Sequence, residues 1–273
     1  MADRGVSDLI GFILIFSLIA ISVGTVYVVG FSGLQDARNA EQLTNTERAF
    51  DVLADNIDDI VRSDAPNRAT EFRLYEADLA VGERTTFTVE IANVGTPNTY
   101  SVTTYPLVYK PQRSSTTIRY LNGAVIRQDR GGALFLDDPT FVFRKNTADE
   151  RTTVIPLIET RGDGREAVGG TGTVLVRAQQ AIAEPLTTRT TPANAGSDVD
   201  TTDSDTEYDV RLRIETSEAR APIWRDHLNE EIEAAYPNVN DPCSLSNPAT
   251  VECTFPTERL YVTVTRIDIA LST

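Results

Sequence analysis

The sequence predicts an α+β protein: a long N-terminal helix, apolar in its first half, followed by an all-β, sandwich-like head that carries one short helix. Three observations predict it. No charged residue occurs from Leu9 to Gln35. Apolar residues then recur at alternating spacings of three and four as far as Ile60, with no proline before Pro66. Beyond that point, short runs rich in Thr, Val, Ile and Tyr alternate with Gly, Pro, Asn and Asp, the punctuation of strands and turns.

The run from Leu9 to Phe31 is long enough, at about 1.5 Å per residue, to cross roughly 30 Å of hydrocarbon, so the chain is expected to meet a membrane. A secretory signal peptide would have a shorter apolar region and a small-residue cleavage site after it; this stretch is expected to be retained. Its small residues Ser17, Ala20 and Gly24, with Gly30 and Gly33, would let another helix approach closely, or they belong to a plain lipid-facing anchor. The pattern continues through Leu43, Thr46, Phe50, Leu53, Ile57 and Ile60, a heptad-like seam. Glu41, Glu47, Arg48, Asp51, Asp55, Asp58 and Asp59 lie between the seam positions and form a water-facing side. One helix of about 55 residues, from near Ser7 to near Arg62, follows from this pattern.

At 273 residues the chain can hold one or two domains with a sizeable core, which excludes a scaffold held by disulfides alone. Its 40 acids outnumber its 25 bases for a formal charge of -15, a surface that repels phosphate and disfavours nucleic acid as a partner. The bases are Lys110, Lys145 and 23 arginines. Few lysines, abundant threonine and an acid excess suit concentrated salt, where a Debye length of about 3 Å at 1 M screens repulsion among carboxylates. The composition therefore points to a halophilic source, and the acid excess reads as adaptation rather than as a site.

The opening Asp3-Arg4-Gly5-Val6-Ser7-Asp8-Leu9-Ile10-Gly11-Phe12-Ile13-Leu14 resembles the N-terminal segment of archaeal type IV pilins and related pilin-like proteins, particularly haloarchaeal ones. Asp8 stands where those often have proline, and Ile10 where bacterial pilins carry a glutamate. The resemblance implies a class III signal peptide, cut by a prepilin peptidase between Gly5 and Val6 just after Arg4. It divides the chain into a leader at 1–5, a transmembrane and assembly helix at 6–65 and an extracellular head at 66–273. In the head, Tyr120 to Arg127, Ile155 to Ile158 and Gly169 to Val176 resemble the heads of large haloarchaeal pilin-like proteins. The implied partners are the membrane, the peptidase and other pilin-like subunits; no surface ligand is specified.

Within the head, strands are expected at Glu71 to Leu79, Thr85 to Ala92, Ser101 to Tyr109, Thr116 to Leu121, Ala124 to Gln128, Thr152 to Ile158, Thr173 to Ala178, Glu207 to Glu215 and Leu260 to Leu271. Asn122-Gly123 signals a type I′ hairpin. The glycines at Gly162-Asp163-Gly164 and Gly169-Gly170-Thr171-Gly172 read as turns, since the strand, tight turn and helix of a dinucleotide site are missing. The stretch 187–206 reads as a flexible surface loop; its Asp198, Asp200, Asp203 and Asp205 lack the glycine and closing glutamate of an EF-hand, so no metal is expected. Ser217 to Ala235 reads as a helix ended by Pro237, packing through Trp224, Leu228 and Ile232.

His227, the one histidine, has no serine elbow or metal-ligand partner motif, so no catalytic residue, cofactor or metal is expected. No Asn-x-Ser/Thr sequon occurs. Cys243 and Cys253 stand in a proline-rich loop. In an exported domain they are expected to form a disulfide, with a zinc site needing further ligands and two free thiols as the alternatives. Together these readings describe a minor subunit of a pilus-like filament or an anchored adhesion component. A single-pass binding protein that never polymerises and an extracytoplasmic enzyme are the other two classes.

Overall fold

A computed structural model describes residues 3–91, 98–112, 114–147, 150–162, 167–190 and 208–273, with side chains excepted at 3–8, 32, 36 and 187–190. Helix α1 spans Asp3–Ser63, slightly beyond both expected ends. The chain divides into two compact units, Met1–Asn45 and Thr46–Thr273. The last turns of α1 bury their apolar residues Phe50, Leu53, Ile57 and Ile60 with the head.

The head has two sheets. The larger is built from β1 (Asn67–Val81), β4 (Leu107–Pro111), β5 (Thr117–Leu121), β6 (Ala124–Asp129), β7 (Gly132–Asp137), β8 (Val142–Lys145), β9 (Arg151–Gly162), β10 (Ala167–Thr190) and β14 (Arg259–Ser272). Its order is β7-β6-β5-β4-β1-β10-β14-β9-β8, and only the β14–β9 pair is parallel. The smaller sheet joins β2 (Thr85–Ile91), β3 (Asn98–Thr104), β11 (Tyr208–Glu215), β12 (Cys243–Asn247) and β13 (Thr250–Thr257) in the order β12-β13-β11-β2-β3. Helix α2 (Ala221–Ala235) enters the core between them through Ala221, Trp224, Leu228 and Ile232.

Strict alternation makes this possible. Phe87, Val89 and Ile91 on β2 and Val210, Leu212 and Ile214 on β11 are fully buried, while their neighbours in the chain face out. They meet Leu121, Ala124, Ile126, Ile155, Leu157 and Val262 from the larger sheet. Phe72, Leu74, Ile118 and Tyr120 point to that sheet's other face, where α1 covers them with Phe50, Leu53, Ile57 and Ile60; Phe50 and Phe72 meet edge to face at 5.0 Å. Asn56 Nδ2 donates to Thr70 Oγ1 at 2.9 Å and fixes the helix on β1.

The type I′ hairpin forms as predicted, with φ of 50° at Asn122 and 85° at Gly123. Asn122 is fully buried and its Oδ1 accepts from Ile158 N at 2.7 Å, so the turn is tied to β9. Other expectations are corrected. The run from Ser101 to Tyr109 is two strands, because Tyr105-Pro106 carries the chain from one sheet to the other, pinned where Tyr105 N donates to Thr160 O at 3.0 Å. The glycines from Gly169 to Gly172 lie inside β10 and not in a turn; a side chain at 169 would collide with the Asp78 carboxylate of β1. Strand β10 continues through Thr190, so 187–190 are strand and not loop; 191–207, including the four aspartates, lies outside the described residues, as do Asp163 and Gly164. Helix α2 begins at Ala221, since Ser217 O already accepts from Arg220 N and Ala221 N in a preceding turn.

The cysteines sit on a hairpin rather than in a loop. Cys243 and Cys253 are paired across β12 and β13 with Cα atoms 3.9 Å apart, and they form a disulfide. Mass mapping without reductant is expected to recover their peptides linked. Replacing both by serine should lower the stability of the head by about 3 kcal/mol in urea unfolding, the loop-closure contribution for a crosslink of this span; recovery of free thiols in the native protein would contradict the pairing.

Candidate functional site

The first unit presents what the head hides. From Leu9 to Leu34 the large apolar side chains of α1 are all more than half exposed, from 51% at Ile13 to 72% at Val26. This stretch is long and apolar enough to cross a membrane, with a mean hydropathy of 2.6 over its most apolar window and none of that window buried. Its polar side chains suit an apolar surrounding. Ser22 Oγ donates to Leu18 O at 2.7 Å and Thr25 Oγ1 to Ile21 O at 2.8 Å, so both hydroxyls are satisfied within the helix. Phe12 stacks on Phe16 and Tyr27 on Phe31, one turn apart.

The residues expected to pack fall into two groups. Phe50, Leu53, Ile57 and Ile60 are at most 1% exposed against the head's own sheet. Ala20 and Gly24 are exposed, Ser17 and Leu43 half-buried, and a methyl group added at Gly11, Gly24, Gly30 or Gly33 would touch nothing. The small-residue surface thus has no partner among the described residues of this chain, and a backbone could approach it closely. Arg4, Gly5 and Val6 fall in the first turn of α1, ahead of the described side chains.

The water-facing acids of α1 are more engaged than the sequence suggested. Glu47 pairs with Arg127 at 3.1 Å, Asp58 with Arg62 at 2.6 Å and Asp59 with Arg68 at 3.2 Å. Asp55 and Asp58 line a cleft of about 190 Å³ together with Tyr120, Asp137 and Asp138. Partial burial, then the charge of Asp51, pushes the Asp137 carboxyl above its usual range. Among the described residues no group of three acid, histidine or cysteine side chains could hold a metal ion. His227 packs edge-on against Phe135 with its Nδ1 3.7 Å from Asp138 Oδ1, the contact of a largely buried packing residue.

No curated protein and no solved structure matches the chain. A family model matches residues 4–270, taking in the apolar helix and almost all of the head. The chain therefore belongs to that family, a family of unknown function designated DUF7289.

Proposed function

We propose that the chain is a pilin-like cell-surface protein. Leu9 to Phe31 hold it in the membrane with the head outside the cell, and cleavage between Gly5 and Val6 frees the helix to enter a filament as a minor subunit. The observation that carries this reading is the apolar surface from Leu9 to Leu34, exposed along its whole length while the head buries its own apolar residues. A surface of that extent is covered by lipid or by other apolar helices. Cleavage removes the charges of Asp3 and Arg4 and leaves a short tip of Val6, Ser7 and Asp8 ahead of the apolar run, which eases passage from lipid to a filament core. The Cys243–Cys253 disulfide supports an oxidising compartment for the head, and the acid excess supports a salt-rich one.

The partners of this reading are the membrane, a prepilin peptidase and other pilin-like subunits. Glycine suits the cleavage junction because it puts no side chain in the way of an extended backbone. Its replacement tests the reading. N-terminal peptide mass spectrometry of the protein from its native host should find Val6 first in wild type and residues 1–5 retained in Gly5→Leu. Membrane insertion should be unaffected, but the variant should vanish from sheared filaments. A wild-type chain that starts at Met1 or Ala2 and fractionates as a detergent-soluble monomer would replace this reading with a single-pass binding protein that does not polymerise.

A further inference from the structure

Two arginines of the head are buried without a counter-ion among the described residues. Arg119 on β5 is 8% exposed and Arg220, at the N-cap of α2, is 3% exposed. Their acceptors are neutral: Arg119 Nη2 donates to Gln128 Oε1 at 3.2 Å and Thr117 Oγ1 at 3.3 Å, and Arg220 Nε donates to Thr216 Oγ1 at 3.0 Å. Arg119 Nε is buried with no acceptor at all. Burial, then the charge of Arg220, lowers Arg119 to about 10, and burial likewise lowers Arg220. A guanidinium keeps its proton at neutral pH, so deprotonation does not relieve the arrangement. Glu83 is the carboxylate whose field reaches both, and its side chain is exposed rather than ion-paired with either.

The topology brings further donors to the same place. The segment from Gly82 to Arg84 carries the chain from β1 across to β2. Gly82 N donates to Pro106 O at 2.7 Å, so this crossing runs beside the start of β4, the neighbour of β5. Arg119 itself lies opposite Ile126, Ile126 opposite Phe135, and the Phe135 ring meets Trp224 of α2 at 5.1 Å. Thr85 opens β2 and Thr86 pairs with Glu215, which sets Thr85 beside Thr216 and Ser217, immediately ahead of α2. Thr85 Oγ1 and Ser217 Oγ are buried and lack partners, as is Trp224 Nε1 one turn into the helix. Helix α2 starts here with no side-chain cap and no acid in its first turn, so its positive end is uncompensated. A buried guanidinium is tolerated where an opposite charge meets it, and helix N-termini with free hydroxyls are where anions bind.

We propose that Arg119, Arg220, Ser217 and Thr85 form a binding site for one small inorganic anion, a halide or a phosphate-type oxyanion, at the N-terminus of α2 between the two sheets. The anion is the missing counter-charge. It bridges β5 of the larger sheet, β2 of the smaller one and α2, and so couples the stability of the head to the anion content of its surroundings. The site lies wholly in the head and is independent of whether the N-terminal helix is cleaved or assembled.

The test uses the full-length protein in detergent micelles at constant ionic strength, with potassium gluconate, whose anion is bulky and organic, as the reference salt. Chloride and phosphate are substituted for gluconate in separate arms. Equilibrium dialysis with labelled chloride or labelled phosphate should find about one anion bound per chain and identify which. The unfolding midpoint should climb and saturate, by about 5–10 °C at a hundredfold excess over half-saturation. Arg119→Gln and Arg220→Gln should each abolish the bound anion and the climb, while Glu83→Gln should keep both. No bound anion in dialysis and equal midpoints in all three salts would overturn the proposal, whatever the variants do. Binding that survives both arginine replacements would also overturn it, by putting the anion elsewhere. So would anion binding that appears only in Glu83→Gln, which would identify Glu83 as the counter-ion.

Discussion

Replacing Ile57 by aspartate is expected to abolish cooperative unfolding of the head. Ile57 is fully buried, and with Phe50, Leu53 and Ile60 it covers the outer face of the larger sheet. Truncation to alanine alone should cost about 2–5 kcal/mol, the transfer and cavity contributions of a buried aliphatic side chain. Aspartate adds an unpaired carboxylate in an apolar layer, worth several kcal/mol more, and the sum reaches the 5–15 kcal/mol that hold a whole domain together. Val52, on the same helix but 50% exposed, supplies the control. Val52→Asp should unfold within about 0.5 kcal/mol of wild type, as surface changes do. Trp224 is the only tryptophan and is fully buried, so its fluorescence follows both transitions in urea. Indistinguishable midpoints for the two aspartate variants would show that α1 does not cover the sheet.

Trp224→Ala should be the costliest neutral substitution in the core, at about 3–5 kcal/mol. The indole is fully buried and meets the rings of Phe135 at 5.1 Å, Phe87 at 5.6 Å and Phe141 at 6.1 Å, the first two edge to face. Those three rings come from β7, β2 and the segment before β8, so one side chain joins both sheets to α2. Trp224→Phe should restore more than half of the loss, because a smaller ring keeps part of the contact and asks for no hydrogen bond at Nε1, which has no partner here. Far-ultraviolet circular dichroism in urea measures both. A cost under 1 kcal/mol for alanine would mean that the site collapses freely and that α2 is not a structural element of the core.

The features legible from sequence are those that local chemistry dictates. The uncharged run, the three-and-four spacing to Ile60, the Asn122-Gly123 turn and the stripe of Trp224, Leu228 and Ile232 each follow from a short window. What escaped depends on neighbours distant in sequence. Strands β12 and β13 were hidden by Pro242, Pro248 and Pro256, which read as loop. Yet Thr254 N donates to Pro242 O, so the nitrogen of Pro256 faces the same side two residues on, past the end of β12, where no bond is missing. Pro185 stands in the part of β10 beyond the last residue paired with β1, another place where a neighbour is lacking. The glycines of β10 read as turns because their closeness to Asp78 exists only once β1 lies alongside. Arg119 and Arg220 carried no signal at all, since arginine on a strand or before a helix is ordinarily solvated and only the two-sheet packing buries them.

The place of β14 in the larger sheet sets the order in which the head can be made. Residues 259–272 lie between β10 and β9 and supply a pairing edge to each, from Leu175 to Thr190 on one side and from Thr152 to Gly162 on the other. The paired residues of those strands precede it by between about seventy and about 110 positions, so the central ladder is closed by contacts of high sequence separation. A ribosome that has released everything up to Tyr236 has delivered two long strands with open edges and no partner between them. The head is thus a late folder, and its exposed edges in that interval are where a chaperone would hold it.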